Sequence, residues 1–145
     1  MRRAIELASQ ASSAGDVPVG AVIVRDGEIV SEGRNRREEL KNSLYHAEMI
    51  AINEACLKLK KWRLDDCDLY VTLEPCAMCA GAILNSRIRR LFFGAYNAND
   101  GACDSVIRLF NSGFDNAPDV IGGMMELECI ELLQSFFNSL RSHRT

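Results

Sequence analysis

Two short clusters in this chain carry the residue types that bind a transition metal. His46-Ala47-Glu48 opens an apolar run with helical spacing, and Pro75-Cys76-Ala77-Met78-Cys79 follows the strand-like run Leu69-Tyr70-Val71-Thr72-Leu73. A neutral imidazole and two thiolates are ligands that zinc takes in tetrahedral sites, at roughly 2.0–2.3 Å. Cys76 and Cys79 stand three positions apart, so in the first turn of a helix both sulfurs share one face. Pro75 suits such a start, because its missing N–H would have no partner there. The positive end of the helix dipole and the cation both favour the thiolate. His46, Cys76 and Cys79 make three protein ligands, whereas structural zinc sites are normally closed by four; three predicts a position left open for water. Glu48, two residues past His46 in the same turn, can reach that water without ligating the metal and can carry its proton.

Each cluster has a plainer reading on its own. A C-x-x-C pair can be a redox dithiol, and a zinc closed by a remote fourth ligand would be purely structural. A histidine on an apolar helix is commonly a satisfied core residue. The redox reading leaves His46 and Glu48 idle. The four residues together point to a catalytic zinc.

The elements that must position them can be read from the pattern. Residues 3–14 predict an amphipathic helix with Ala4, Leu7, Ala8 and Ala11 on one face and Gly15 as its stop. Asp26-Gly27 separates the apolar runs 21–24 and 29–33, a strong hairpin signal. Residues 34–45 read as a polar, irregular connection into the first metal cluster. Helices are expected over 46–60 and 76–86, and strands over 67–73 and 91–95. Residues 96–104 read as a loop, 105–111 as a short helix, 119–121 as a last short strand, and 124–140 as a final helix with Glu126 and Glu128 in its first turns. No internal repeat or linker interrupts this alternation. The fold class expected is α/β: a three-layer α/β/α sandwich with a central five-stranded mixed sheet.

Composition limits the remaining choices. A chain of 145 residues with 48% apolar and 26% charged side chains suits one soluble globular domain, spanning 1–145. No run approaches the roughly 20 apolar residues that cross a bilayer. Met1-Arg2-Arg3 leads into Ala4-Ile5-Glu6-Leu7-Ala8, whose charge breaks the layout of a signal peptide, so a cytoplasmic protein is expected. Of the six cysteines, Cys56, Cys67, Cys103 and Cys129 read as small buried or half-buried thiols. A net charge of −3 argues against indiscriminate binding to nucleic acid. Local basic clusters at 58–63, 87–90 and 141–144 read first as solvated faces and second as RNA contacts.

The pattern H-x-E…P-C-x-x-C is the signature of zinc-dependent nucleobase deaminases. Beyond it, the chain closely resembles the bacterial tRNA-specific adenosine deaminases of the cytidine-deaminase-like superfamily. The matching stretches are Val17-Pro18-Val19-Gly20-Ala21-Val22, His46-Ala47-Glu48, residues 69–82, Ser86-Arg87-Ile88 and Phe93-Gly94-Ala95. The resemblance runs from about residue 3 to residue 140. It implies a hydrolase acting on a C–N bond, which converts adenosine to inosine at the wobble position of a tRNA anticodon. By position, it implies that His46, Cys76 and Cys79 bind one Zn2+ per subunit and that Glu48 moves protons. Asn35 would hydrogen-bond the purine, and Val17 and the backbone of Ala47 would line the base pocket. A tRNA anticodon stem-loop as partner and a homodimer are implied with it. Three stretches depart from the family: Asn97 stands where Asp is usual, Asp115-Asn116-Ala117 where N-H-R is frequent, and Asn42-Ser43-Leu44-Tyr45 where D-P-T-A is common.

Two other functions compete. The same scaffold could deaminate a free base or nucleotide such as guanine, cytosine or dCMP, which the net charge and the departed loops favour and Asn35 disfavours. A catalytically silent, zinc-stabilised RNA-binding subunit would be expected to lose the proton shuttle, and Glu48 is present.

Overall fold

The computed structural model describes residues 1–143, and Arg144 of the third basic cluster lies outside them. In chain order the elements are α1 (Arg2–Ser13), β1 (Gly20–Arg25), β2 (Glu28–Arg34), α2 (Arg37–Leu40), α3 (Ala47–Leu59), β3 (Asp68–Leu73), α4 (Ala77–Ser86), β4 (Arg90–Ala95), β5 (Asp119–Ile121) and α5 (Glu126–Ser142). The strands form one sheet in the order β2-β1-β3-β4-β5. β1 pairs antiparallel with β2 and β3, while β3–β4 and β4–β5 run parallel, so the sheet is mixed, as the sequence predicts. Asp26 and Gly27 both take positive φ, 52° and 77°. That backbone is the primed turn whose twist matches a tight antiparallel hairpin.

Alternation along the strands sends side chains to two faces. Ala21, Ile23, Leu69, Val71, Leu91 and Phe93 are in register across β1, β3 and β4 and form a buried layer under α3 and α4. Val22, Tyr70 and Phe92 face the other way, where α1 and α5 pack together, and the Tyr70 and Phe92 rings stack 4.6 Å apart. α3 lies close to the sheet because Ala47, Ala51 and Ala55, all 0% exposed, present only methyl groups to it. Gly33 on β2 permits that approach: a Cβ there would lie 2.3 Å from the Ala47 carbonyl oxygen and 2.9 Å from the Ala51 nitrogen. Gly33→Ala is therefore expected to push away the helix that begins at the first metal cluster. Its overpacking cost of roughly 1–3 kcal/mol would appear as a lower urea midpoint at unchanged slope.

The parallel strands β3 and β4 end at the edge of the sheet where the antiparallel β1 begins and β2 ends. The segments before β1, after β2, after β3 and after β4 thus emerge together, at the carboxyl ends of the parallel strands where open α/β sheets place ligands.

Near the site, two boundaries and two elements differ from the sequence expectation. The helices begin at Ala47 and Ala77, so His46 and Cys76 precede rather than enter them. The polar connection 34–45 contains the four-residue α2. Residues 105–111 form no α-helix, only a 3-10 turn at Leu109–Asn111. The reason is local: the amides of Cys103, Asp104 and Ser105 donate to a side-chain carboxylate, and those of Val106 and Ile107 both return to the Gly101 carbonyl.

Candidate active site

His46 and Cys76 hold equivalent places in the fold. Each is the N-cap of a helix, in extended backbone (φ −77°, ψ 153° and φ −74°, ψ 177°), and neither side chain caps its own helix. N-cap side chains ordinarily accept a hydrogen bond from the first turn; here the imidazole and the thiol turn towards each other instead. His46 Nδ1 lies 3.6 Å from Cys76 Sγ and 3.6 Å from Cys79 Sγ, and the three ligand atoms are all within 4.8 Å of one another. A tetrahedral zinc with bonds of roughly 2.05 Å to nitrogen and 2.3 Å to sulfur has an N···S edge of about 3.6 Å. The donor set and its spacing fit zinc.

The electrostatics of the protein groups at the site follow from burial and from the pair of sulfurs. The hydrogen bond from Cys79 holds Cys76 as the thiolate, down to about 4 from an ordinary 9.0, against the opposing effect of burial. The same bond, and then burial, pushes Cys79 upward. His46 is raised, foremost by its hydrogen bond to Cys76. One sulfur therefore keeps a proton that the other has given up, and a bound cation replaces such protons. Burial pushes Glu48 up to about 7 from 4.5. Only 4% exposed, it sits in the first turn of α3 beside the two cysteines. A carboxyl poised near neutrality can both take and give a proton.

A cavity of about 780 Å³ opens in front of this cluster. It is lined by Val17, Asn35, His46, Ala47, Glu48 and Cys76, while the fully buried Cys79 closes the site from behind. The structure thus brings together all seven residues singled out from the sequence. Asn35, 8% exposed, is held by its neighbours: Nδ2 donates to the Val17 carbonyl (3.2 Å) and Oδ1 accepts from the Arg37 amide (3.1 Å). A side-chain amide has two N–H groups and two lone pairs on oxygen, so one of each remains for a ligand.

Other walls were not legible. Tyr96 to Asp100 supply one side, and Leu133 and Phe137 of α5 supply another. In the sequence the two α5 residues are indistinguishable from core positions; the signal is spatial, since Phe137 remains 40% exposed. Of the departed positions, Asn97 lines the cavity and its Oδ1 accepts from the Asp100 amide, and the Asn42 side chain accepts from the Leu44 amide in the turn before His46. Asp115-Asn116-Ala117 is not part of the lining. Among the basic clusters, Arg89 and Arg90 pair with Asp68, and Arg63 and Arg87 flank the Trp62 ring.

Comparison with known proteins agrees with this geometry. Residues 1–95 match the family described as the cytidine and deoxycytidylate deaminase zinc-binding region. The tRNA-specific adenosine deaminase of Bacillus subtilis (strain 168) is 43% identical over 145 residues, covering 99% of this chain and 90% of that protein. The protein of the same name from Rickettsia bellii (strain RML369-C) is 47% identical over 144 residues, covering 97% and 99%. A structure solved in a study of A-to-I editing by tRNA:A34 deaminases superposes with a TM-score of 0.89 at 45% identity, covering 92% of this chain and 97% of that one. A guanine deaminase from Nitrosomonas europaea shares the fold, with a TM-score of 0.82 at 23% identity over 93% of this chain and 81% of that one.

Proposed function

The chain belongs to the zinc-binding cytidine and deoxycytidylate deaminase family, among the tRNA-specific adenosine deaminases, and on that premise we propose that it hydrolyses adenosine to inosine at the wobble position of a tRNA anticodon. The observation that carries the reading is the buried Glu48 carboxyl set beside a three-ligand zinc site on the floor of an open cavity. Residues 1–145 act as one deaminase domain in this reading. The family resemblance also supports a homodimer working in the cytoplasm, where tRNA is available. No helix among the described residues is long and apolar enough to cross a membrane.

His46, Cys76 and Cys79 would hold the metal. When bound, zinc supplies a Lewis acid that makes water acidic near neutral pH. With the metal in place, Glu48 would take one proton from water as the oxygen adds to C6 of the purine and pass it to the ring nitrogen. It would then take the second from the new C6 hydroxyl and pass it to the departing amine, so that adenosine and water become inosine and ammonia. Asn35 orients the purine with its spare N–H and lone pair. Ala47 offers a first-turn amide with no partner inside the helix, and Val17 supplies an apolar wall. An adenosine within duplex or stacked RNA must be turned out of its stack to reach this floor.

The test is direct. Zinc-loaded protein is incubated with an anticodon stem-loop carrying a wobble adenosine, and in parallel with free guanine, cytosine, adenosine and dCMP. Inosine in the stem-loop alone is the expected outcome. Turnover of a free base with a silent stem-loop would assign the chain to small-molecule deamination, with the zinc chemistry unchanged.

A further inference from the structure

Glu74 is a buried carboxylate that the deamination chemistry leaves without a task. It is 1% exposed and stands between the end of β3 and Pro75-Cys76. Its Oε1 accepts from the Asn97 amide (3.1 Å) and from the Ser105 hydroxyl. Its Oε2 accepts from the amides of Cys103 (3.1 Å), Asp104 (2.8 Å) and Ser105 (2.9 Å). Five donors saturate the roughly four lone-pair directions of an ionised carboxylate, and such charge-assisted bonds are about twice as strong as neutral ones. All five come from the 97–105 loop. Gly101 closes over the group so tightly that a Cβ there would lie 2.5 Å from both the carboxylate carbon and Oε2.

Two backbone bonds finish the attachment. The Glu74 amide donates to the Ala95 carbonyl (2.8 Å), and the Ala102 amide donates to the Pro75 carbonyl (2.9 Å). The loop has no helix or strand of its own between Ala95 and Leu109. Yet its residues Tyr96 to Asp100 form a wall of the cavity that Asn35 and Glu48 also line. A segment with so little regular structure takes its shape from what it is tied to, and here five of its hydrogen bonds end on one side chain.

We propose that Glu74 is a positioning residue that holds the 96–105 loop as the wall gripping the nucleotides beside the reacting base, so that it sets affinity for RNA rather than the rate of chemistry at C6. This rests on the reading of the cavity as an RNA deaminase site. Glu74 is among the residues lining the cavity, but the hydrogen bonds of its carboxylate all go to the loop and none to a zinc-ligand side chain, so it acts through the loop.

The test compares the zinc-loaded wild type with Glu74→Gln and Ser105→Ala. The readouts are zinc content, kcat and KM on the anticodon stem-loop, and amide hydrogen exchange. Glutamine keeps the size but removes the charge and turns an NH2 group towards donors. The expected result is retained zinc, KM raised about tenfold and kcat within about threefold of wild type. Exchange should accelerate at Asn97 and at 103–105. Ser105→Ala, which removes one donor and leaves the carboxylate, should move KM and exchange in the same direction by less, and it serves as the arbiter should Glu74→Gln fail to fold. An unchanged KM, or a fall in kcat alone, would overturn the proposal, as would loop exchange indifferent to both variants. Wild-type silence on the stem-loop would instead overturn the functional reading itself; the exchange pattern needs no substrate and still decides whether Glu74 pins the loop.

Discussion

Glu48→Ala is expected to reduce turnover of the wobble adenosine by roughly 10²–10⁴-fold, the range that a positioned general acid–base group contributes. Zinc should remain bound, because His46, Cys76 and Cys79 already supply a complete set of protein ligands. Metal analysis beside single-turnover rates checks both halves. Loss of zinc would make Glu48 a ligand and the site would need redrawing. The same carboxyl leaves a mark on stability. It titrates near 7 in the folded, metal-free protein against an ordinary 4.5. The folded state thus holds this proton more tightly than the unfolded chain does. Its contribution is fully present below about 4.5 and is lost as pH rises through about 7. Denaturant midpoints of metal-free protein should therefore fall across that window, and Glu48→Gln should flatten that part of the decline.

Cys76→Ala is the second large effect. It removes the more exposed of the two sulfurs and leaves one imidazole and one thiolate, too few to hold zinc against water. Metal content should drop from near one ion per chain to near zero and activity should go with it, whereas a chelator that inactivates the wild type should change nothing further in the variant. Full zinc occupancy in Cys76→Ala would refute the three-ligand site.

How far these assignments could be read from the chain depends on whether the signal is local. His46-x-Glu48 and Cys76-x-x-Cys79 are patterns within four residues, so the sequence shows them directly, although His46 and Cys76 reach the site as N-caps rather than from inside the helices. The hairpin at Asp26-Gly27 is local too, since two residues with positive φ specify its turn. What stayed hidden is long-range. Glu74 looks like the last residue of a strand, and its five donors lie 23 to 31 positions away. That carboxylate also explains the missing helix at 105–111: the apolar spacing there is helical, but the amides preceding it are already committed. Phe137 and Leu133 read as ordinary members of an amphipathic helix, and only packing shows that part of the stripe faces a cavity.

Because His46 and Cys76 cap two different helices and lie 30 residues apart, no ion can find its ligand set until both helices have docked on the sheet. Zinc therefore recognises the folded chain almost exclusively, and mass action turns it into a folding ligand. Each tenfold rise of free zinc above the dissociation constant adds about 1.4 kcal/mol to the folded state. The abundance of this protein in a cell should then track zinc supply through its folded population, a dependence that a metal-starved culture would reveal before any substrate is added.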